Sequence, residues 1–176
     1  LTDERFFQGD IRFIERMRKF VLIPILRKDF IVDEYQLYEA KAFGADAVLL
    51  IVAALERVRM SDFLALAKEI DLECLVEVHS QEEIEQLDFH KVRIVGINNR
   101  DLATFKTDLT TSVVLRKLIP ADVEVVSESA INGPGDIELL MASGIRSFLI
   151  GERFMRAESP GKALAELQQQ SERLRA

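Results

Sequence analysis

The chain has 176 residues, 48% of them hydrophobic and 30% charged, with a formal charge of −7. That length supports one core and that composition is too apolar for disorder, while the negative balance argues against nucleic acid or an anionic membrane as partner, since both need a positive field. No apolar run approaches the roughly 20 residues of a membrane span and no signal-peptide pattern opens the chain, so a cytoplasmic location is expected.

The first residues, Leu1-Thr2-Asp3-Glu4, run straight into "RFFQGD" without an initiator Met and read as the middle of something longer. Six short apolar runs follow: "VLIPIL" from Val21, "AVLLIVA" from Ala47, "CLVEV" from Cys74, "IVGI" from Ile94, "VEVV" from Val123 and "SFLIG" from Ser147. Each has the length and β-branched content of a buried strand. Between them apolar residues recur every three to four positions, as at Phe63, Leu64, Leu66, Ala67 and Ile70, which predicts helices covering a sheet face.

The punctuation fits that alternation. Asp33 with Gln36 and Ser80 with Glu83 have capping-box spacing, and Gly44 and Gly144 fall where a helix stops in the left-handed conformation. Ser159-Pro160 reads as an N-cap followed by proline at the first helical position, opening a terminal helix that runs through "LAELQQQSERLRA". Strand and helix alternate without a hairpin signal, which specifies parallel strands joined by right-handed crossovers. The strand tips, taken as Lys28, Ala53, Glu77, Asn98, Glu128 and Gly151, are 25, 24, 21, 30 and 23 residues apart. Such even spacing suits a (β/α) barrel better than a doubly wound sheet.

Polar or glycine residues recur at the carboxyl ends of these strands, in "LRKD", "VEVHS", "GINNRD", "VSESA" and "IGER". Side chains alternate along a strand, so Leu26 and Lys28 share a face, as do Leu75, Glu77 and His79, and Gly96 and Asn98. These groups can converge on one rim, where barrel enzymes keep their active sites. By the same parity Arg27 and Asp29 point toward the helix layer, where they can pair.

Plainer readings stand beside each of these. Lys28 taken alone is a solvated strand-end charge. Glu77 and His79 are two ligands, too few for a metal site, and none is expected. Cys74 lies in an apolar run and reads as a buried inert thiol, and as the only cysteine it forms no disulfide within one chain. The acidic run "SQEEIEQ" is a helix start whose carboxylates complement the dipole. Met17, Met60, Met141 and Met155 read as packing residues. Ser127 and Ser129 lack the G-x-S-x-G setting of a hydrolase nucleophile.

Taken together, "LTDERFFQGD", "PILRKDFIVDEYQLYEAKAFGADAVLLIVAAL", "LVEVHS", "GINNRDLATF", "VSESAI" and "FLIGERFMR" resemble the indole-3-glycerol phosphate synthase family of tryptophan biosynthesis, in the family's order along essentially the whole chain. The resemblance implies a carboxy-lyase, a carbon-carbon lyase that closes the ring of 1-(2-carboxyphenylamino)-1-deoxyribulose 5-phosphate with loss of carbon dioxide and water. It implies no cofactor and a phosphorylated small molecule as the substrate. By motif, Lys28 resembles the general acid at the substrate carbonyl and Glu77 the carboxylate of the dehydration step. Asn98 and Arg100 resemble groups orienting the substrate hydroxyl and carboxylate. Phe7, Phe30, Leu49 and Leu149 resemble the apolar lining, with Glu128 a further substrate contact. Ser129, Ala130, Gly151 and Glu152 resemble the phosphate cradle, in which "IGER" and a short helix would present backbone amides. The Glu152 side chain is expected to face away from the phosphate, which it would repel.

Two departures from the family pattern bear on these expectations. "SESAI" carries Ala130 where the family has glycine, so a positive φ there would set a Cβ against the backbone. The family's N-terminal extension and first two strands do not appear in these residues. The expected fold class is therefore α/β: an incomplete (β/α)8 TIM barrel of about six strand-helix units with a parallel sheet, forming one partial domain over residues 1–176. Negligible turnover by this chain alone and self-association through open barrel edges are expected with it. The alternatives are a non-catalytic barrel fragment serving folding or assembly, and another phosphate-binding barrel enzyme such as an epimerase.

Overall fold

A computed structural model describes residues 1–101 and 104–173, which form two compact units. Unit one comprises Leu1–Val78 with Gln86–Ile94; unit two comprises His79–Glu85 and the chain from Val95 onward.

Unit one begins with two short helices, α1 (Glu4–Phe7) and α2 (Arg12–Arg18), and then alternates: β1 (Leu26–Arg27), α3 (Tyr35–Ala42), β2 (Ala47–Ile51), a 3-10 turn at Val52–Ala54, α4 (Arg57–Glu69) and β3 (Glu73–Val78). β1 runs parallel to β2 with Leu26 opposite Ala47, and β2 parallel to β3 with Leu49 opposite Leu75 and Ile51 opposite Glu77. Val48, Leu49, Leu50, Leu75 and Val76 are all buried, so both faces of β2 and β3 are covered, as parallel strands require. α3 packs against β2 through Leu37 and Ala40, and α4 against β3 through Met60, Phe63 and Ala67. Each large apolar side chain so buried contributes about 1.5–3 kcal/mol relative to exposure.

The caps explain where the helices start. The Gln36 Oε1 accepts from the N–H groups of Val32 (2.8 Å) and Asp33 (3.0 Å), while Asp33 Oδ1 accepts from the Tyr35 N–H at 2.9 Å. Gly44 ends α3 at φ +90, a left-handed conformation. Asp46 then accepts from the Ile25 N–H at 2.6 Å and pairs with Arg18, so backbone hydrogen bond and guanidinium together hold its carboxyl below the usual range.

The first strand is shorter than the sequence suggests. The expected run from Val21 contributes only Leu26 to β1, and Leu22 and Ile23 are 99% and 69% exposed. Pro24 has no N–H to give a ladder. The expectation that Arg27 and Asp29 pair on the helix side holds. Arg27 is buried, donates to the Gln36 carbonyl at 2.8 Å, and pairs with Glu39 of α3 at 2.8 Å and Asp29 at 3.1 Å.

Cys74 sits in β3, and desolvation, with a smaller contribution from the Glu73 charge, pushes its thiol up to about 12. Only the thiolate alkylates. Iodoacetamide at pH 8 should therefore leave the folded chain unmodified and label it in urea, as read by intact mass; rapid labelling without denaturant would contradict the inert role.

Unit two contains α5 (Gln81–Ile84), β4 (Ile94–Asn98, from Val95), α6 (Thr110–Leu115) prolonged by a 3-10 turn at Arg116–Leu118, β5 (Glu124–Glu128), α7 (Pro134–Ala142), β6 (Ser147–Leu149), α8 (Glu152–Met155) and α9 (Pro160–Arg173). Its strands lie in the order β4, β5, β6, and β6 is parallel to β5 with Ser127 opposite Phe148 and Glu128 opposite Leu149. Ser80 caps α5 by accepting from the Glu83 N–H at 3.3 Å; the Glu83 carboxylate reaches back to the His79 N–H at 2.7 Å, one residue earlier than a capping box would. α7 is opened by Asp136, which accepts from the N–H groups of Asn132 and Gly133, and closed by Gly144 at φ +83. α9 starts at Pro160 as expected, and residues 174–176 of the expected terminal helix lie outside the described residues.

Among the described residues six strands alternate with helical segments, and the fold is α/β, an incomplete (β/α)8 TIM barrel of six strand-helix units. Met60 is a packing residue, whereas Met17 and Met155 are exposed, which corrects the expectation for those two. Among the described residues no helix is long and apolar enough to cross a membrane, and no group of three or more His, Cys, Asp and Glu side chains is placed to hold a metal ion.

Candidate active site

In unit one the carboxyl ends of β1 and β3 bring a cation and an anion together. The Lys28 ammonium donates to Glu77 Oε2 at 3.1 Å, with side chains 26% and 2% exposed. Glu77 lies opposite Ile51, on the face that also carries Leu49 and Leu75, so its carboxylate stands among apolar neighbours. A carboxylate so buried is costly unless it is hydrogen-bonded to a cation. Lys28 directly follows β1, and its four-carbon stem spans the gap to β3.

The backbone at Lys28 is fixed from the N-terminal flank. Its carbonyl accepts from the Thr2 N–H at 3.1 Å, and the Thr2 hydroxyl donates to Asp29 Oδ2 at 2.7 Å. The turn that returns to Thr2 closes at Gly9, whose N–H donates to the Asp3 carbonyl at 2.7 Å. Any Cβ at Gly9 would lie 2.6 Å from the carbonyl carbon of Thr2. The position therefore excludes side chains by contact, not by φ.

Beside this pair stands an aromatic group. Phe7 and Phe30 stack with ring centroids 6.5 Å apart, and Phe6 meets Phe30 edge-on at 6.0 Å. All three rings remain exposed, an arrangement suited to gripping a flat apolar ligand. Phe6 was not singled out by the sequence; its adjacency to Phe7 in "RFFQGD" was the available signal. Leu49, by contrast, is fully buried in the middle of β2, one residue pair before Ile51.

In unit two the ends of β4, β5 and β6 carry the remaining residues. Asn98 closes β4, and its Oδ1 accepts from the Arg100 N–H at 3.0 Å. The Arg100 guanidinium pairs with Glu152 at 2.6 Å, and Glu152 also pairs with Arg156 at 2.7 Å. Glu152 thus turns its carboxylate to cations, while its position at the start of α8 leaves only one helical turn behind Gly151. So short a helix carries little dipole, and what it has to offer is the backbone amides of its first turn.

Glu128, at the end of β5, is buried opposite Leu149. The next two residues, Ser129 and Ala130, both have positive φ, 65 and 63. The strain anticipated for Ala130 is therefore present, since a Cβ in the left-handed region meets the neighbouring carbonyl. Replacing Ala130 by Gly should raise stability by about 1 kcal/mol. A higher urea midpoint at unchanged slope would show it, and a lower midpoint would refute the strain. Gly151 has an ordinary φ of −113 and a Cβ there would meet nothing within 4 Å, so neither conformation nor packing requires glycine.

These features define an α/β protein of the incomplete-barrel class that carries polar groups at the carboxyl ends of parallel strands in each unit. The chain belongs to the indole-3-glycerol phosphate synthase family, which it matches over residues 1–167. Among curated relatives, the indole-3-glycerol phosphate synthase of Burkholderia vietnamiensis (strain G4 / LMG 22486) is 49% identical over 167 residues, and that of Burkholderia cenocepacia (strain HI2424) is 50% identical over the same span. Each match covers 95% of this chain, and the chain spans 64% of the length of those relatives.

Proposed function

We propose that this chain carries acid-base and anion-binding groups for indole-3-glycerol phosphate synthesis: ring closure of 1-(2-carboxyphenylamino)-1-deoxyribulose 5-phosphate with decarboxylation and dehydration. The observation that carries this reading is the Lys28–Glu77 pair at the ends of β1 and β3. The ring carbon bearing the carboxylate attacks the ketone carbon, and the electron pair of the carbonyl moves to its oxygen, which takes a proton from the Lys28 ammonium. Loss of carbon dioxide returns the bonding pair to the ring. Glu77 then serves the dehydration, in which a proton leaves carbon or nitrogen and the new hydroxyl departs as water. Phe7, Phe30 and the edge-on Phe6 give the aryl group an apolar wall, with Leu49 behind it.

For unit two, Asn98 orients a substrate hydroxyl and Arg100 offers a planar fork to a carboxylate. Glu152 occupies that fork here, so an incoming carboxylate competes with it. Glu128 and Leu149 contact substrate, and the amides of Ser129, Ala130 and Gly151 receive the phosphate. The Glu152 side chain takes no part in holding phosphate; its contribution is its N–H.

The test is turnover by the 176 residues alone and by the same residues joined to the remaining portion of a Burkholderia relative. We expect negligible product from the former and indole-3-glycerol phosphate from the latter, lost on Lys28→Met. Absence of product from a folded joined protein would defeat the reading.

Self-association of the isolated chain belongs to the same proposal. β1 is a two-residue strand at the end of the sheet order, and Phe13, Met17, Phe20, Leu22 and Ile23 near it are exposed. An open edge beside an apolar surface favours pairing with a second copy. Sedimentation at micromolar concentration should show dimers or larger species, and a clean monomer would contradict it.

A further inference from the structure

Asn99, which the sequence reading passed over for its neighbour Asn98, is a heavily bonded polar side chain of unit two. It is 2% exposed. The two hydrogens of its Nδ2 are shared among three acceptors, Ser127 Oγ at 2.9 Å, the Glu128 carbonyl at 3.0 Å and the Ser129 carbonyl at 3.2 Å. Its Oδ1 accepts from the Ser112 N–H at 3.0 Å, one of the amides in the first turn of α6 that no helical carbonyl can satisfy. The Ser112 and Ser127 hydroxyls, both buried, bond each other at 2.7 Å. The main chain of Asn99 adds a bond from its N–H to the Glu128 carbonyl at 2.9 Å and accepts from the Asp108 N–H at 2.9 Å.

Two of these acceptors are the carbonyls on either side of Ser129, and Ser129 and Ala130 are the consecutive left-handed residues of the loop after β5. Residues with a Cβ leave that region unless something holds them there. We propose that Asn99 is a positioning residue: its side-chain amide holds Ser129 and Ala130 in the left-handed conformation by binding the carbonyls of Glu128 and Ser129 together. Asparagine suits the task because one planar group offers two N–H donors toward the loop and an acceptor toward α6. Aspartate has the shape but no donor and sets a charge against two carbonyl oxygens. Serine is too short to span from Ser112 to Ser129. On the reading of this loop as the phosphate cradle, which this inference rests on for its functional consequence, Asn99 aims the phosphate-binding amides without touching the ligand.

The experiment uses the full 176-residue chain and compares Asn99→Asp and Asn99→Ser with Ser127→Ala, each also made with Ala130→Gly. Backbone carbon shifts of Ser129 and Ala130 report their φ, amide exchange in β5 reports the core, and titration with inorganic phosphate reports the loop's affinity. Both Asn99 variants are expected to move the Ser129 and Ala130 shifts away from left-handed values and to weaken phosphate about tenfold, with Ala130→Gly recovering part of both. Ser127→Ala removes a buried partner of Asn99 that is not a loop carbonyl, so it should lower protection in β5 and leave the loop shifts in place. If the loop shifts of the folded Asn99 variants stay unchanged, or if Ser127→Ala moves them equally, the positioning role is overturned. Should the Asn99 variants not fold, couplings through the hydrogen bonds from Asn99 Nδ2 to the Glu128 and Ser129 carbonyl carbons decide the matter in the parent chain, and their absence overturns the role. A loop that moves as expected in a chain with no phosphate affinity upholds the positioning role and removes the phosphate cradle instead.

Discussion

In the joined protein, Glu77→Gln is expected to lower kcat about 1,000-fold while KM stays within a few-fold of the parent. Glutamine keeps the size of the side chain and an acceptor for the Lys28 ammonium, so the ground-state architecture at the ends of β1 and β3 survives. It cannot accept a proton. General acid-base groups typically contribute about 10²–10⁴ in rate, and a loss in that range confined to kcat is the mark of a group that acts after binding. Kinetics over a substrate series would check this. A kcat within about tenfold of the parent would mean that Glu77 only anchors Lys28 and that another group moves the proton.

Lys28→Met in the 176-residue chain is expected to cost about 3 kcal/mol of stability at pH 7, because the buried carboxylate of Glu77 loses the ammonium that bonds it at 3.1 Å. The penalty should depend on acidity in a definite direction. At low pH a buried carboxyl without its ammonium takes up a proton and is neutral in folded and unfolded chains alike, so the deficit shrinks as pH falls and is full once the carboxyl must ionise. Lys28→Met with Glu77→Gln should recover most of the loss, since no charge is then stranded. Urea unfolding at pH 7 and pH 5 for the parent, both single variants and the double variant closes the cycle. A deficit that is small, insensitive to pH and additive in the double variant would show that the pair contributes little.

Much of the framework was readable from residue order. Short apolar, β-branched runs and apolar residues recurring every three to four positions, with Gly44, Gly144 and Pro160 as punctuation, located the strands and helices, because those signals are local. Parity placed Arg27 and Asp29 on the helix side for the same reason. The first strand was overestimated because apolar content marks burial only where a neighbouring strand pairs, and Leu22 and Ile23 have an exposed setting. Lys28 and Glu77 were marked by their place at strand ends, whereas the 3.1 Å contact between them depends on register and on the reach of a lysine. Asn99 was hidden by the alternation that revealed Asn98: it points to the other side of β4, where a polar residue normally has nothing to do. The pairing of Arg100 with Glu152 joins residues 52 positions apart, and nothing local in either motif announces it.

The close contact at Gly9 has a reach beyond its own turn. A methyl group there would shove the backbone of Thr2, whose N–H holds the carbonyl of Lys28 and whose hydroxyl holds the carboxylate of Asp29, and the Lys28 ammonium would drift from Glu77 without any change in its chemistry. A survey of substitutions that break the Lys28–Glu77 contact would then score this small residue beside the two charged ones.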